Sequence, residues 1–143
     1  MSPLVHFIFS MITAVILYPI FGWVVLLIFV SGVLIDVDHY FWYIYKIKDY
    51  NMFKCYKFYM IKEAKNNYRG IVGALFIFHT IEILVILIVI SFFIEIVMFL
   101  TIGIFGHFLL DLIWIYYTTK RFFLNHSIIS WFIKNKIQKQ HAG

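Results

Sequence analysis

Eight side chains able to ligate a metal or carry a proton interrupt an otherwise apolar chain. They are His6, Asp36, Asp38, His39, His79, Glu82, His107 and Asp111. An ionisable group in an apolar setting costs several kcal/mol unless it is partnered, so such residues mark a site by default. Four of the eight are carboxylates, and the apolar runs that carry them contain no Lys or Arg to pair with. These carboxylates must be protonated or bound to cations. Two divalent ions would offset all four, and the four imidazoles supply nitrogen donors. Mixed His and carboxylate donors suit Zn²⁺, Mn²⁺ or Fe²⁺ better than Ca²⁺ or Mg²⁺. The expectation is one or two divalent ions that activate water for hydrolysis, with Glu82 or Asp38 as candidate catalytic carboxylates.

Spacing favours convergence. His79 and Glu82 are three apart, His107 and Asp111 four apart, and Asp36 and His39 three apart. Each pair would share one face of a helix. Asp38 would sit roughly 200° round from Asp36 on a regular helix. Either the helix loosens there, or two metal positions are served, or one Asp supports a ligand from behind. Depth agrees. Asp38 lies eight positions before Lys46, His79 ten after Arg69, and Asp111 nine before Lys120. At about 1.5 Å per residue, all three fall some 12–15 Å inside the basic flanks.

The elements that must position these groups are apolar helices. Of 143 residues, 64% are hydrophobic and 13% charged, against about 45–50% and 25% in soluble domains. Seventeen Phe, ten Tyr and four Trp add to the apolar load. This excludes a disordered chain, and Cys55, the single cysteine, excludes an intramolecular disulfide or a cysteine zinc cluster. The composition predicts a single all-α integral-membrane domain over 1–143 with about four transmembrane helices. The first twenty residues lack a basic leader and a small-residue cleavage site, and read as mature protein. Residues 4–35 are too long for one span, and Pro19 and Gly22 break them into a hairpin. The expected spans are about 3–18, 22–44, 71–94 and 96–118. Gly103 and Gly106 on the fourth would let neighbours approach closely.

All twelve basic residues fall in two segments, a loop at 46–69 and a tail at 119–143. The loop has seven basic and two acidic residues; the tail has five basic and none acidic. The positive-inside rule puts both in the cytoplasm, giving N-in and C-in topology in the inner membrane. Phe53, Tyr56 and Met60 in the loop, and Ile128, Ile129, Phe132 and Ile133 in the tail, recur at helical spacing among lysines. They predict short interfacial helices contacting anionic headgroups. Charge spread this way fits lipid better than a nucleic-acid groove, so no nucleic acid is expected. The oligomeric state is not encoded in these patterns.

The early His6, the Asp-x-Asp-His of Asp36-Val37-Asp38-His39, the mid-chain His79 and the Gly-His-x-x-x-Asp of Gly106 to Asp111 resemble the LexA-regulated, membrane-bound metal-dependent hydrolases. The resemblance runs from His6 to Asp111. It implies a small multi-pass inner-membrane hydrolase, with His79, His107, Asp111 and the Asp36/Asp38/His39 cluster as ligands. A more distant likeness to zinc-dependent phospholipases C and related nucleases implies phosphoester chemistry, and a lipid-like substrate reached from the cytoplasmic leaflet. Where the family often carries His-Arg-Gly-x-Thr-His-Ser, this chain keeps only Arg69-Gly70, and His79-Thr80 follows nine residues later. The same buried residues would also serve a proton- or metal-translocating protein, or a non-enzymatic membrane scaffold with buried polar pairs.

Overall fold

A computed structural model describes residues 3–63, 74–119 and 127–141. Every element among them is helical. The chain opens with α1 (Pro3–Phe21) and a 3₁₀ turn (Gly22–Val25), followed by α2 (Leu26–Leu34) and α3 (Val37–Ile47). Next come α4 (Met52–Lys57), which runs into a π-type turn (Phe58–Glu63), and a 3₁₀ turn at Ile77–His79. The last helices are α5 (Ile81–Ser91), α6 (Glu95–Thr119) and α7 (Ile128–His141). Lys65, Arg69, Gly70, Lys120 and Arg121 of the basic segments lie outside the described residues.

The first apolar run does fold back on itself. Pro19 sits in the last turn of α1, and Gly22 takes a left-handed φ of 64°, a conformation that suits glycine because it has no Cβ. The chain reverses there, so Ala14 of α1 meets Val25 and Ile28 in a core completed by Phe99 of α6. Packing is close because the contact residues are small. A Cβ on Gly103 of α6 would collide with the Ser31 hydroxyl and the Ile28 carbonyl of α2, and one on Gly32 with Ser10 of α1. A Cβ on Gly106 would come 2.8 Å from the Phe9 ring.

Two expected spans are not continuous helices. The second breaks at Ile35–Asp36, between α2 and α3. Among the described residues of the third, the α-helix covers Ile81–Ser91, about 16 Å and half the thickness of a bilayer core. Residues 74–80 leave helical geometry because tertiary partners capture their backbone. The Phe78 N–H donates to Asp38 Oδ2 at 3.1 Å, and Thr80 is extended, with φ −104° and ψ 145°. His79 and Glu82 therefore do not share a helix face: one closes a 3₁₀ turn and the other lies in the first turn of α5.

Two helical stretches, Pro3–Ile47 and Glu95–Tyr117, are long and apolar enough to cross a membrane. Within the first, α1 and α2 pack antiparallel, so the stretch is bent and not one rod. Exposed aromatics cluster at both ends of the bundle. Trp23, Phe92 and Phe93 lie at the α1–α2 and α5–α6 turns, and Tyr45, Tyr50 and Tyr117 lie at the opposite end.

The loop segment forms the expected helix, α4. Asn51 caps it by accepting from the Lys54 N–H at 3.0 Å. Lys54 Nζ also lies 2.8 Å from Asp49, which holds that exposed carboxyl below the usual range. The buried face of this segment is Cys55 and Tyr59, packed with Tyr43, Ala74 and Phe76. Phe53 and Tyr56 point outward.

Candidate metal centre

The break at Ile35–Asp36 turns Asp36 toward the same pocket as the residues that follow it. Asp36 Oδ1 lies 3.5 Å from His79 Nε2 and 3.4 Å from His107 Nε2. Asp111 Oδ2, one turn beyond His107 on α6, lies 3.5 Å from His107 Nε2 and 3.7 Å from His79 Nε2. The two Nε2 atoms are 3.2 Å apart. Four donor atoms from α6, the α2–α3 break and the 77–79 turn thus meet within 4.8 Å of one another.

Hydrogen bonding on the far side of each ring sets what these nitrogens present. His107 Nδ1 lies 2.7 Å from the Gly32 carbonyl, which can only accept. Nδ1 therefore carries the hydrogen, and in the neutral ring Nε2 is a lone pair. His79 Nδ1 lies 3.1 Å from Asp38 Oδ2 and donates to that carboxylate in the same way. With both rings neutral, two lone pairs face each other, flanked by two carboxylate oxygens, and a cation at the centre would relieve their repulsion; with a proton on either Nε2, that N–H instead faces the Asp36 and Asp111 oxygens. Five of the six edges lie at 3.2–3.7 Å and the sixth, between Asp36 and Asp111, lies within 4.8 Å; a tetrahedron with metal–ligand bonds of about 2.0–2.2 Å has edges of about 3.3–3.6 Å. The donor set and its spacing fit a divalent ion.

Other residues hold the four. Asp38 Oδ1 accepts from His39 Nδ1 at 2.8 Å, while its Oδ2 accepts from His79 and from the Phe78 amide. Asp38 therefore stands behind His79, where a carboxylate orients a ligand. Asp38, His39 and His79 also form a second group of donors within 4.8 Å. His39 stacks on Phe76, ring centroids 3.8 Å apart, and Tyr59 donates to its carbonyl at 2.9 Å. His6 stacks on His107 at 3.6 Å and reaches Asp111 Oδ1 with Nε2 at 3.2 Å. Its Nδ1 is buried without a hydrogen-bond partner among the described residues.

Seven of the eight expected residues are thus brought together, and Glu82 is not. Its carboxylate accepts from the Ser127 hydroxyl at 2.6 Å and from the Ile128 and Ile129 amides at 3.1 and 3.3 Å. It satisfies the open N–H groups at the start of α7. That engagement sets it with α7, apart from the two groups of donors that could hold a metal ion. Three contributors carried no signal in the sequence: the Gly32 carbonyl, because a backbone oxygen has no residue type, and Phe76 and Tyr59, because aromatics are abundant throughout.

No protein-family model, curated protein or solved structure matches this chain. What the fold and the site define together is a class: an all-helical protein with an apolar exterior and a buried His/Asp cluster competent to hold a cation.

Proposed function

We propose that this protein is a membrane-embedded, metal-dependent hydrolase of lipid-linked phosphoesters, similar to the LexA-regulated hydrolases that its Asp36–His39 and Gly106–Asp111 motifs resemble. The observation that carries the reading is the pair of Nε2 atoms held 3.2 Å apart beside the Asp36 and Asp111 carboxylates, four donor atoms within 4.8 Å of one another. A zinc-like ion bound there supplies a Lewis acid and lowers the pKa of water toward about 7.

The chain's own residues supply the rest. Asp36, His79, His107 and Asp111 are the ligands. Asp38, His6 and the Gly32 carbonyl fix their orientation. His39 is the residue placed to move a proton: Asp38 holds its Nδ1–H, and the ring lines the same cavity as Asp36 and Asp111. The apolar exterior supports a bilayer setting. Glu95 to Tyr117 spans about 34 Å between the two aromatic ends, near the thickness of a hydrocarbon core. The cluster lies on the side of the two basic segments, which supports a site reached from the cytoplasmic leaflet. The opposite half of the bundle offers Glu95 as its one ionisable residue among those described, which favours a one-sided site over a through path for ions.

The test is turnover by purified protein in nanodiscs, loaded separately with Zn²⁺, Mn²⁺ or Fe²⁺. Phosphomonoester, phosphodiester and carboxylic-ester lipids are the substrates. Phosphoester cleavage that chelation and Asp111→Asn both abolish is the expected result. Metal-loaded protein that cleaves none of them, or an Asp111→Asn variant with full turnover, overturns the reading.

A further inference from the structure

A cavity of about 440 Å³ adjoins the cluster. Asp36, His39 and Asp111 form one of its walls. The others are apolar and aromatic: Tyr56, Tyr59 and Met60 from α4 and the turn after it, Phe76 from the segment before α5, and Trp114 from α6. Three features of this space bear on its occupant. It is continuous with the donor atoms, so whatever fills it is adjacent to the reacting centre. It falls within the range of small-molecule pockets, roughly 300–1,000 Å³. A water occupies about 30 Å³, and a methylene is of similar size, so the cavity holds on the order of a dozen chain carbons. Tyr59 and Phe76 are buried and form its floor, while Tyr56 and Trp114 are exposed on the outer surface. The cavity is therefore bounded partly by the apolar exterior of the bundle. A chain can enter sideways without crossing water.

We infer that this cavity is the binding subsite for the hydrocarbon chain of a single-chain amphiphile, whose polar head lies at Asp36 and Asp111. The inference rests on the metal-site reading for the head and on the cavity alone for the chain. Aromatic faces and a flexible Met thioether hold a chain by dispersion and shape, and the Tyr59 and Tyr40 hydroxyls are already engaged with the His39 and Tyr50 carbonyls. The loop helix α4 acts as one wall of the subsite, which gives the buried Cys55–Tyr59 face a role beyond packing. Cys55 lines the cavity too, and burial pushes its thiol up to about 11, so it sits there as an apolar contact and not as a nucleophile.

The experiment uses decyl phosphate carrying a diazirine at its terminal carbon, with the full-length protein in nanodiscs. After irradiation, adducts are mapped by peptide mass spectrometry, and bound metal is measured on the same sample. Adducts concentrated on Tyr59, Met60, Phe76 and Trp114, displaced by excess unlabelled decyl phosphate or decanol but not by inorganic phosphate, are the expected result. Cys55→Trp, which fills the space, should lower those adducts at least tenfold while metal content stays at the wild-type level. Adducts scattered over outward residues such as Phe92 and Phe93, or cavity adducts displaced equally by inorganic phosphate, overturn the inference. Metal-loaded protein with scattered adducts defeats the subsite alone. Cavity adducts in a protein that binds no metal defeat the hydrolase reading and leave the subsite standing.

Discussion

At the scale of single residues, three of the four candidate ligands are held from behind by a named partner. Gly32 fixes the tautomer of His107, Asp38 that of His79, and His6 the rotamer of Asp111. The roles can be separated by metal affinity. His107→Ala and Asp111→Asn each remove a donor and should leave no stoichiometric metal. Asp38→Asn removes only an orienting carboxylate and should weaken binding by about 10–100-fold, as seen in competition titration with a chelating dye. An Asp38→Asn protein with unchanged affinity contradicts the assigned role. The His107/Asp111 pair was legible in the sequence because α6 is regular and i, i+4 spacing suffices on a regular helix. The Asp36/Asp38 pair was legible only as a set of alternatives. A two-residue helix break, with no Pro or Gly to announce it, decides the matter. The His79/Glu82 pair was misread because a long-range hydrogen bond from Phe78 to Asp38 overrides local helix periodicity.

At the scale of elements, small residues and borrowed caps decide the arrangement. Gly103 and Gly32 let α2 and α6 approach until backbone meets backbone, which is what brings the Gly32 carbonyl to His107. Gly103→Ala should destabilise the fold by about 1–3 kcal/mol, because the Ile28 carbonyl cannot move aside as a flexible side chain could. Titration with a denaturing detergent, followed by circular dichroism, measures it. The same variant should lose metal affinity as His107 drifts from its neighbours. Glu82→Gln should behave in the opposite way. Metal content stays at the wild-type level, while amide exchange at 128–129 accelerates as the N-terminus of α7 loses one of its two acceptor oxygens and the negative charge. Loss of metal in Glu82→Gln contradicts the placement of this carboxylate. The α1–α2 hairpin was visible from Pro19 and Gly22, whose backbone restrictions act locally. The shortness of α5 was not, since Ile, Leu and Val from 81 to 90 look alike in a full span and in half of one.

At the scale of the whole molecule, the proposed bilayer setting rests on the apolar exterior and on two helical stretches long and apolar enough to cross a membrane. In a Cys55→Ser background, Phe93→Cys should react with a membrane-impermeant maleimide in intact cells. Tyr50→Cys should react only after permeabilisation. Equal labelling of both sites contradicts the orientation. The proposed chemistry rests on the buried cluster, and the decisive measurement is made on the metal itself. Elemental analysis of the purified protein, joined to an X-ray absorption spectrum at the edge of whichever metal is found, reads occupancy and ligands together. The account predicts one to two bound ions with nitrogen and oxygen neighbours at about 2.0–2.2 Å and outer-shell scattering from imidazole. Protein that stays metal-free in the presence of Zn²⁺, Mn²⁺ and Fe²⁺, or an ion whose nearest neighbours are sulfur, contradicts it.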